Sequence, residues 1–297
     1  MSNKVYKIVT EKIIKKLQEG IIPWKQGWIG NPPINYITRK PYRGINRLLL
    51  SKGGEYLTFN QIEKLKGKIK KGSKAEIVIF YKIYEKTVTK INENGEEIQE
   101  VKRFPVLRYY NIFHISDVEG IPSKLQKIQH NPIQEAEKAI AGYTDRPPII
   151  HDDPNTAAYY PIRDIINVPA MEYFEKGEEY YSTLFHELIH STGHQKRLKR
   201  FTNDIEQHIF GSESYSKEEL IAEIGAAMLC EHVGILNSTI NNNVAYIQAW
   251  LEKLNSNEKL IIQAANEAQK AVDYILNVNN EENEKEEEEE GGNLLCV

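Results

Sequence analysis

His-Glu-Leu-Ile-His-Ser-Thr-Gly-His, residues 186–194, is the stretch that decides most about how this chain folds and which chemistry it can support. In an α-helix, residues four positions apart lie on one face about one turn apart, so His186 and His190 can bind a single zinc-sized cation. Glu187 follows the first histidine, where its carboxylate can accept a proton from a water molecule that the metal polarises. The stretch therefore predicts a helix that carries a metal-dependent hydrolytic site.

The residues around this motif help to distinguish a metal site from a chance match on a surface helix. Leu184, Leu188 and Ile189 form an apolar face at helical spacing, which predicts a helix over about residues 178–192 that packs against a core. Gly193 is expected to end this helix in the left-handed conformation, which glycine adopts at little cost. The flanking pattern favours the metal site.

A third metal ligand has to come from outside this stretch, because a catalytic zinc site usually has three protein ligands and an open position. The pattern His-Glu-x-x-His-x-x-Gly-x-x-His is disfavoured, since its last position is Lys196 here. His194 is a weaker alternative, because it follows the glycine that ends the helix. The third ligand is therefore expected from a second helix downstream.

Two glutamates on that downstream helix are the best candidates. Glu219 and Glu223 lie four residues apart in a segment that is otherwise small and apolar, whereas Glu218 is assigned to solvent. Buried acids need partners, and a metal together with a ligand histidine would satisfy both. Glu219 is predicted to be the third ligand and Glu223 to hold a ligand histidine through its free ring N–H, although the two roles could be exchanged.

A ligand set of two histidines and one carboxylate accepts several divalent metals. Zinc is the expected ion, and manganese or another divalent ion stays open. The segment Asp164 to Pro169, upstream of the metal helix, reads as a strand that either holds an extended peptide at a sheet edge or belongs to the core. A protein or peptide substrate is accordingly one of the expected partners.

The composition excludes several classes of protein. Only Cys230 and Cys296 are present, which excludes a disulfide framework and predicts a cytoplasmic protein. No stretch is long and apolar enough to cross a membrane, and no apolar signal region follows the N-terminal residues, so no membrane partner is expected. With 297 residues and 40% hydrophobic content, the chain should form one large or two ordinary domains.

Charge is distributed unevenly along the chain, whose formal net charge is −4. Residues 1–130 contain 25 Lys and Arg against 12 Asp and Glu, whereas residues 131–280 contain 12 against 22. Residues 281–290 add eight Glu and one Lys in a tail that is too polar to fold. A basic front half joined to an acidic back half predicts two domains with different partners, and the front half suits a polyanion such as nucleic acid.

The hydrophobic pattern predicts an α+β fold, with an antiparallel sheet in the front half and mainly helices in the back half. In the front half we expect a helix over residues 4–19, a short helix over 58–66 with Thr58 as its N-cap, and strands over 75–90 and 101–115 joined through an Asn94-Gly95 turn. In the back half we expect further helices near residues 133–142, 217–232, 244–254 and 257–277. The predicted boundaries are residues 1–121, a linker over 122–132, residues 133–277 and a disordered acidic tail over 278–297.

Aromatic and basic residues are interleaved in the front half, which is typical of proteins that bind single-stranded nucleic acid. Bases stack on aromatic rings while cations neutralise phosphates, and stacking is worth about 1–3 kcal/mol per base. Core packing is the commoner role of any single aromatic residue, whereas the basic excess as a set favours a polyanion site over a solvated surface. The residues predicted to contact single-stranded DNA are Trp24, Trp28, Arg39, Lys40, Tyr42, Arg43, Lys70, Lys71, Arg108 and Tyr110.

The sequence resembles the ArdC-type antirestriction proteins of conjugative plasmids and phages over about residues 3–277, without the acidic tail. In the front half the resemblance rests on Pro23-Trp24, Pro41 to Asn46, Lys70-Lys71-Gly72 and Tyr110 to Phe113. In the back half it rests on Ala158 to Tyr160, Asp164 to Ile166, the metal motif through His194, Arg197 to Arg200, Glu219 to Ala227, Trp250-Leu251 and Ala264 to Tyr274.

This resemblance implies an N-terminal single-stranded-DNA-binding domain, a C-terminal zincin-like metallopeptidase domain and protection of incoming DNA from host restriction. Relatives of the family include primase-associated plasmid proteins, so a role in replication at entry also stays open. The expected function is a single-stranded-DNA-binding antirestriction protein with a metal-dependent peptidase site. The alternative is a non-catalytic DNA-binding protector, or a replication accessory protein, whose metal only stabilises the fold.

Overall fold

The structure, a computed structural model, describes residues 2–25, 32–91, 97–125, 131–201, 213–235 and 244–278. The front half begins with α1 (Ser2–Gln18), β1 (Pro33–Asn35), α2 (Ile45–Leu49), β2 (Gly54–Thr58), α3 (Phe59–Lys64) and β3 (Lys68–Ile69). Thr58 caps α3, because its side chain accepts the N–H of Gln61 and the Gln61 side chain accepts the N–H of Thr58 in return. The predicted helix and its N-cap are confirmed.

Two long strands dominate the front half. β4 (Glu76–Ile91) and β5 (Glu97–His114) pair antiparallel, and β2 and β1 extend the sheet to the order β1-β2-β5-β4. A short strand, β6 (Val118–Glu119), pairs with β3. The predicted antiparallel sheet is confirmed, while the Asn94-Gly95 turn lies outside the described residues.

The first residues of β4 are buried on both faces of the sheet, because two different clusters cover them. Ile77 and Ile79 belong to the large core, together with residues of α1 and α2. Val78 and Phe80 point to the opposite face, as alternate residues of a strand do, and belong to a smaller cluster.

The back half is mainly helical, as predicted. It contains α4 (Pro132–Gly142), β7 (Ile149–Ile150), β8 (Ala158–Tyr160), β9 (Ile165–Asn167), α5 (Gly177–Thr192), α6 (Glu213–Val233), α7 (Val244–Ser256) and α8 (Leu260–Ile275). Among the helices that the structure describes, none combines the length and the apolar character needed to cross a membrane.

A three-stranded sheet of order β7-β9-β8 lies before the metal helix. β9, which comes from the segment Asp164 to Pro169, pairs in parallel with β7 and antiparallel with β8, so both of its sides are occupied. Of the two alternatives for this segment, the free sheet edge is therefore wrong and the core strand is confirmed, with Ile166 and Val168 fully buried. The strands at the two edges of the sheet are β7 and β8.

The two halves of the chain share one hydrophobic core. Val9, Ile13 and Leu17 of α1 are fully buried in the same cluster as residues of α5, α6 and α8. Two ion pairs also cross between the halves, and these pairs join Arg43 to Asp273 and Arg47 to Glu231. The opposite charges of the two halves therefore partly complement each other inside the molecule. The boundary at residues 122–132 stays a prediction.

Candidate metal centre

The metal motif lies in the last two turns of α5, whose apolar residues are buried against the core. His186 and His190 leave the helix on one face, with their ring centroids 4.8 Å apart and their Nε2 atoms 3.1 Å apart. Leu184, Leu188 and Ile189 are at most 1% exposed, so the opposite face anchors the helix. The predicted apolar face is confirmed, and the two histidines lie side by side as the spacing predicts.

α6 approaches α5 closely enough to bring Glu219 to the two histidines. Gly225 makes this approach feasible, because a Cβ atom there would lie 2.7 Å from the Cδ1 atom of Ile189. The Glu219 carboxylate oxygens lie 3.6 Å from Nε2 of His186 and 3.5 Å from Nε2 of His190. The three predicted ligands therefore form one cluster of donor atoms.

The spacing of these donors fits a divalent metal. Ligand atoms about 2.0–2.2 Å from a tetrahedral metal are roughly 3.3–3.6 Å apart. The Nε2 atoms of His186 and His190 are 3.1 Å apart, slightly closer than this range, and they lie 3.6 and 3.5 Å from two different oxygens of Glu219. Two imidazole nitrogens and one carboxylate are donors that zinc and manganese both accept. The residues present therefore fit a divalent metal, although their assignment as ligands stays a prediction.

Glu218, which was expected in solvent, supports the site instead, so that expectation is wrong. Its Oε1 lies 3.3 Å from Nδ1 of His190, the ring nitrogen that faces away from the donor cluster. Arg200 holds the same carboxylate through two hydrogen bonds of 3.0 and 2.7 Å, and it also donates to the Ile189 carbonyl. Glu218 is pulled inward because Arg200, from the loop after α5, folds back over the helix.

The acidic side chains around His190 affect the pKa of its ring. Burial disfavours the protonated ring, but the hydrogen bond that His190 donates to Glu218 and the charges of Glu187 and Glu219 raise the pKa of His190 to about 9. For Glu218, burial is outweighed by Arg200 and His190, which lower the pKa of the carboxyl. The acidic side chains around His190 therefore favour a positive charge at this ring.

Glu223 has different partners from those predicted. Its carboxylate accepts hydrogen bonds from Nε1 of Trp24 at 3.1 Å and from the hydroxyl of Tyr246. Burial raises the pKa of Glu223, and the nearby charge of His186 lowers it in part. Within the described residues, Glu218 rather than Glu223 contacts the ring of a predicted ligand histidine, so the predicted support of a histidine by Glu223 is corrected to Glu218.

Glu187 lies beside the donor cluster without belonging to it. Its side chain is 7% exposed, and its Oε2 accepts the backbone N–H of Tyr159 at 2.7 Å. Tyr159 is the middle residue of β8, so the edge of the small sheet runs directly past the carboxylate. A proton-accepting group is thus held by a backbone donor next to the metal ligands.

Gly193 follows the last turn of α5, but not in the expected conformation. Its φ is −70°, in the right-handed region, so the left-handed prediction is wrong. The physical reason for glycine is space, because a Cβ atom there would lie 2.8 Å from the ring of Phe201. The chain past Gly193 folds back over the helix and brings Arg197 and Arg200 to it.

Asp164 and Arg197 form a second charged network beside the site. Asp164 has a φ of 51° and pairs with the guanidinium of Arg197, which donates to the Tyr159 hydroxyl at 3.0 Å. His194 lies 3.9 Å from Asp164 and outside the donor cluster, so the weaker alternative for the third ligand is not supported. The basic run Arg197 to Arg200, directly after the motif, is the feature of the sequence from which these contacts could have been predicted.

Several residues predicted to contact DNA are used inside the protein. Trp24 is 1% exposed and packs edge-on against Trp250, and Tyr42 is buried in the cluster of Val78 and Phe80. Neither ring can stack on a base in this structure, so both assignments are corrected. Their burial follows from the shared core, which sequence spacing alone does not reveal.

The remaining predicted DNA contacts divide between paired and accessible side chains. Arg39 pairs with Glu55 and Arg43 pairs with Asp273. Lys70 and Lys71 are exposed, while Lys40, Arg108 and Tyr110 are half-buried. Trp28 lies outside the described residues.

Comparisons with known proteins match two separate regions of the chain to two families. Residues 3–113 match the family described as the N-terminal domain of anti-restriction factor ArdC, and residues 135–267 match a family of zincin-like metallopeptidases. Two crystal structures of the antirestriction ArdC protein from R388 plasmid are similar to this chain. The metal-free structure is 32% identical with a TM-score of 0.69 and covers 91% of this chain and 96% of that chain.

The second R388 structure is Mn(II)-bound, with 30% identity, a TM-score of 0.69 and coverage of 92% and 97% of the two chains. A DNA primase TraC of Escherichia coli is 31% identical over 294 residues, which is 91% of this chain but 20% of TraC. The chain spans 26% of another TraC protein. The uncharacterized protein y4eC of Sinorhizobium fredii is 28% identical, with 91% of each chain covered.

Proposed function

The chain belongs to the ArdC antirestriction family, and on that basis we propose that it protects incoming plasmid or phage DNA by binding single strands and by metal-dependent peptide hydrolysis. The observation that carries the proposal is the cluster of His186, His190 and Glu219, with Glu187 held beside it. A divalent metal at that cluster and a carboxylate within the same pocket are the two components of a zincin-type hydrolytic site.

His186, His190 and Glu219 are the residues that would hold the metal. When bound, the metal supplies Lewis acidity and lowers the pKa of water towards about 7. The Mn(II)-bound structure of the R388 protein makes manganese as suitable a candidate as zinc for this chain. Glu218 keeps the His190 ring oriented, because its carboxylate lies at the ring nitrogen opposite the donor cluster.

Glu187 is the proposed general base. The backbone N–H of Tyr159 fixes one of its oxygens, which orients the carboxylate and restricts its rotation. A carboxylate in this position can accept a proton from water and transfer it to the leaving amine. Burial of Glu187 excludes bulk solvent that would compete for the same proton.

The edge strand β8 is the proposed contact for an extended peptide. An extended chain can add to an exposed sheet edge through main-chain hydrogen bonds. β8 lies at the edge of its sheet, and Tyr159 places that edge against Glu187. A peptide bond held along β8 would therefore lie near the proposed base.

Single-stranded DNA is the proposed partner of the front half. The support is the excess of 25 basic over 12 acidic residues in residues 1–130, together with the exposed Lys70 and Lys71. Arg108 lies 5.4 Å from the ring centroid of Tyr84 on the paired strands, a cation–aromatic arrangement that suits a nucleic acid strand.

A role as a replication accessory protein is the second candidate. The observation that favours it is the similarity to two TraC primases, in which regions like this chain form 20% and 26% of the length. In that role the metal would stabilise the fold, and Glu187 would be dispensable.

Plasmid entry into a restricting host distinguishes the two candidates. We expect the wild-type protein to raise the efficiency of entry and Glu187→Gln to abolish this effect, while both bind a labelled single-stranded oligonucleotide equally. The matched control is Glu178→Gln, which removes one acid from the first turn of the same helix. Full protection by Glu187→Gln would exclude hydrolysis and support the non-catalytic role.

A further inference from the structure

The basic residues of the front half divide into two groups. Three arginines are paired with buried carboxylates, and these pairs are Arg39–Glu55, Arg43–Asp273 and Arg47–Glu231. The accessible positive charge therefore comes mainly from lysines. A site for a polyanion has to be sought where several lysine side chains converge.

Five lysines converge on one groove of about 380 Å³ between α1, the end of α2 and the start of β4. Lys12, Lys15 and Lys16 enter it from α1, at spacings of three and four residues that place them on one helical face. Lys52 and Lys74 line the groove from the loops before β2 and β4. The same pocket also contains Leu49 and Ser51.

The acidic residues of the groove are largely engaged with other partners. Glu76 accepts the Ser51 backbone N–H at 2.6 Å, the Ser51 hydroxyl at 3.0 Å and the Tyr56 hydroxyl at 3.1 Å. Asp117 lies 3.8 Å from Nζ of Lys52. Glu19 is the third acid, so the lining carries five positive charges against three negative ones.

The lysines of the groove have different roles. Lys16 donates to the carbonyls of Leu48 and Leu49, and burial lowers its pKa, so it ties α1 to α2. Lys12, Lys15 and Lys74 are exposed, and no ion pair joins them to another residue in the part of the chain that the structure describes. These three ammonium groups are available to an external anion.

The basic surface continues beyond the groove. Lys70 donates to the Ser116 carbonyl at 2.7 Å, and Lys52 donates to the Ser116 hydroxyl at 3.2 Å, so both lie around the same short turn. Lys71 is exposed next to Lys70. The backbone of a single strand can therefore follow the lysines from α1 to the loop at residues 70–74.

We propose that this groove binds the phosphate backbone of single-stranded DNA, with Lys12, Lys15 and Lys74 as its principal contacts. The inference rests on the proposed binding of single strands and assigns that binding a place. The lining offers ammonium groups and little aromatic surface, so the contact neutralises phosphates and does not distinguish bases. Binding at the groove should be independent of sequence and strongly dependent on salt.

The test is the salt dependence of binding to a fluorescein-labelled oligothymidine, measured by anisotropy with the full-length protein. Each phosphate contact on a single strand contributes about −0.7 to the slope of log K against log [salt]. The variant Lys12→Gln/Lys15→Gln/Lys74→Gln should reduce the magnitude of that slope by about 2 and weaken binding at low salt at least tenfold. Circular dichroism checks that the variant is folded.

The matched control is Lys4→Gln/Lys64→Gln/Lys138→Gln, which removes the same charge from exposed positions outside the groove. We expect it to keep most of the wild-type slope. If the wild-type protein binds and both triple variants behave alike, the groove assignment is wrong while binding of single strands stands. If the wild-type protein does not bind the oligonucleotide, the proposed DNA function fails and the groove assignment fails with it.

Discussion

Glu218 is the residue on which the orientation of His190 depends most directly. Its carboxylate lies between the Nδ1 atom of His190 and the guanidinium of Arg200, so a single side chain links a metal ligand to the chain that folds back after α5. A neutral amide at this position would keep its shape but lose the charge that both neighbours require. The His190 ring would then be held less firmly towards the donor cluster.

Replacement of Glu218 by glutamine should lower the affinity for a divalent metal. Loss of a residue that orients a ligand histidine typically reduces metal affinity about 10–100-fold. The measurement is a calorimetric titration with Mn²⁺ or Zn²⁺, with Glu252→Gln as a control on the exposed face of α7. Wild-type affinity in the Glu218 variant would show that His190 does not depend on this contact.

The sequence pattern predicted which side chains lie together at the donor cluster, but not the residue behind them. The i, i+4 spacing alone places His186 and His190 together, because it is a property of the helix. The inward turn of Glu218 depends on Arg200, which comes from a loop whose path no periodicity describes. Likewise, Gly193 was predicted from its conformational freedom, whereas its small size is what the packing of Phe201 requires.

The contact between α5 and α6 determines whether Glu219 reaches the histidines. Gly225 lies where α6 crosses Ile189, and three side-chain atoms of Ile189 lie within 3.0 Å of the position that a Cβ atom would take. Any larger residue has to separate the helices or displace Ile189. The distance between the helices is therefore controlled by one position, two turns away from the metal ligand.

Gly225→Ala should destabilise the protein and weaken metal binding together. Overpacking of a tight core costs about 1–3 kcal/mol, although alanine itself favours the helix by up to about 1 kcal/mol. Gly142→Ala in α4 is the matched control, because a Cβ atom there would have no neighbour within 4 Å. Thermal unfolding checks the prediction, and equal midpoints for the two variants would contradict it.

Across the whole molecule, the front and back halves are held by a common core and by buried charges. Arg47 and Glu231 are paired at this contact, with side chains 12% and 4% exposed, and among the described residues Nε of Arg47 and Oε1 of Glu231 find no hydrogen-bond partner. Burial raises the pKa of Glu231, which Arg47 counteracts in part. A charged side chain left without its partner at this buried position would strongly lower the stability of the protein.

Removal of one partner of this pair should cost much more than removal of both. Arg47→Ala leaves a buried carboxylate without its cation and should destabilise the protein by about 3–5 kcal/mol. The double variant Arg47→Met/Glu231→Leu replaces the pair by apolar side chains and should recover most of that loss. Denaturant unfolding of both variants tests the difference, and equal stabilities would show that the pair is not desolvated.

The contacts between the two halves of the chain were only partly predictable, because they join residues that lie far apart in the sequence. The basic front half and the acidic back half predicted two different partners, and the antiparallel sheet and the helices were confirmed. The charge count could not show that Arg43 and Arg47 face acids of α8 and α6, because those contacts join residues about 180 to 230 positions apart. Trp24 was assigned to DNA because its contact with Glu223 joins residues 199 positions apart, which the sequence pattern does not reveal.

The central claim is that His186, His190 and Glu219 bind one divalent metal while Glu187 remains a base beside it. The most direct measurement is a calorimetric titration of the apo protein with Mn²⁺, compared with Glu219→Gln and Glu187→Gln. We expect one site per chain, a loss of affinity of at least 100-fold in the Glu219 variant, and nearly unchanged affinity in the Glu187 variant. Equal affinity of the wild type and the Glu219 variant, or an equal loss in both variants, would contradict the claim.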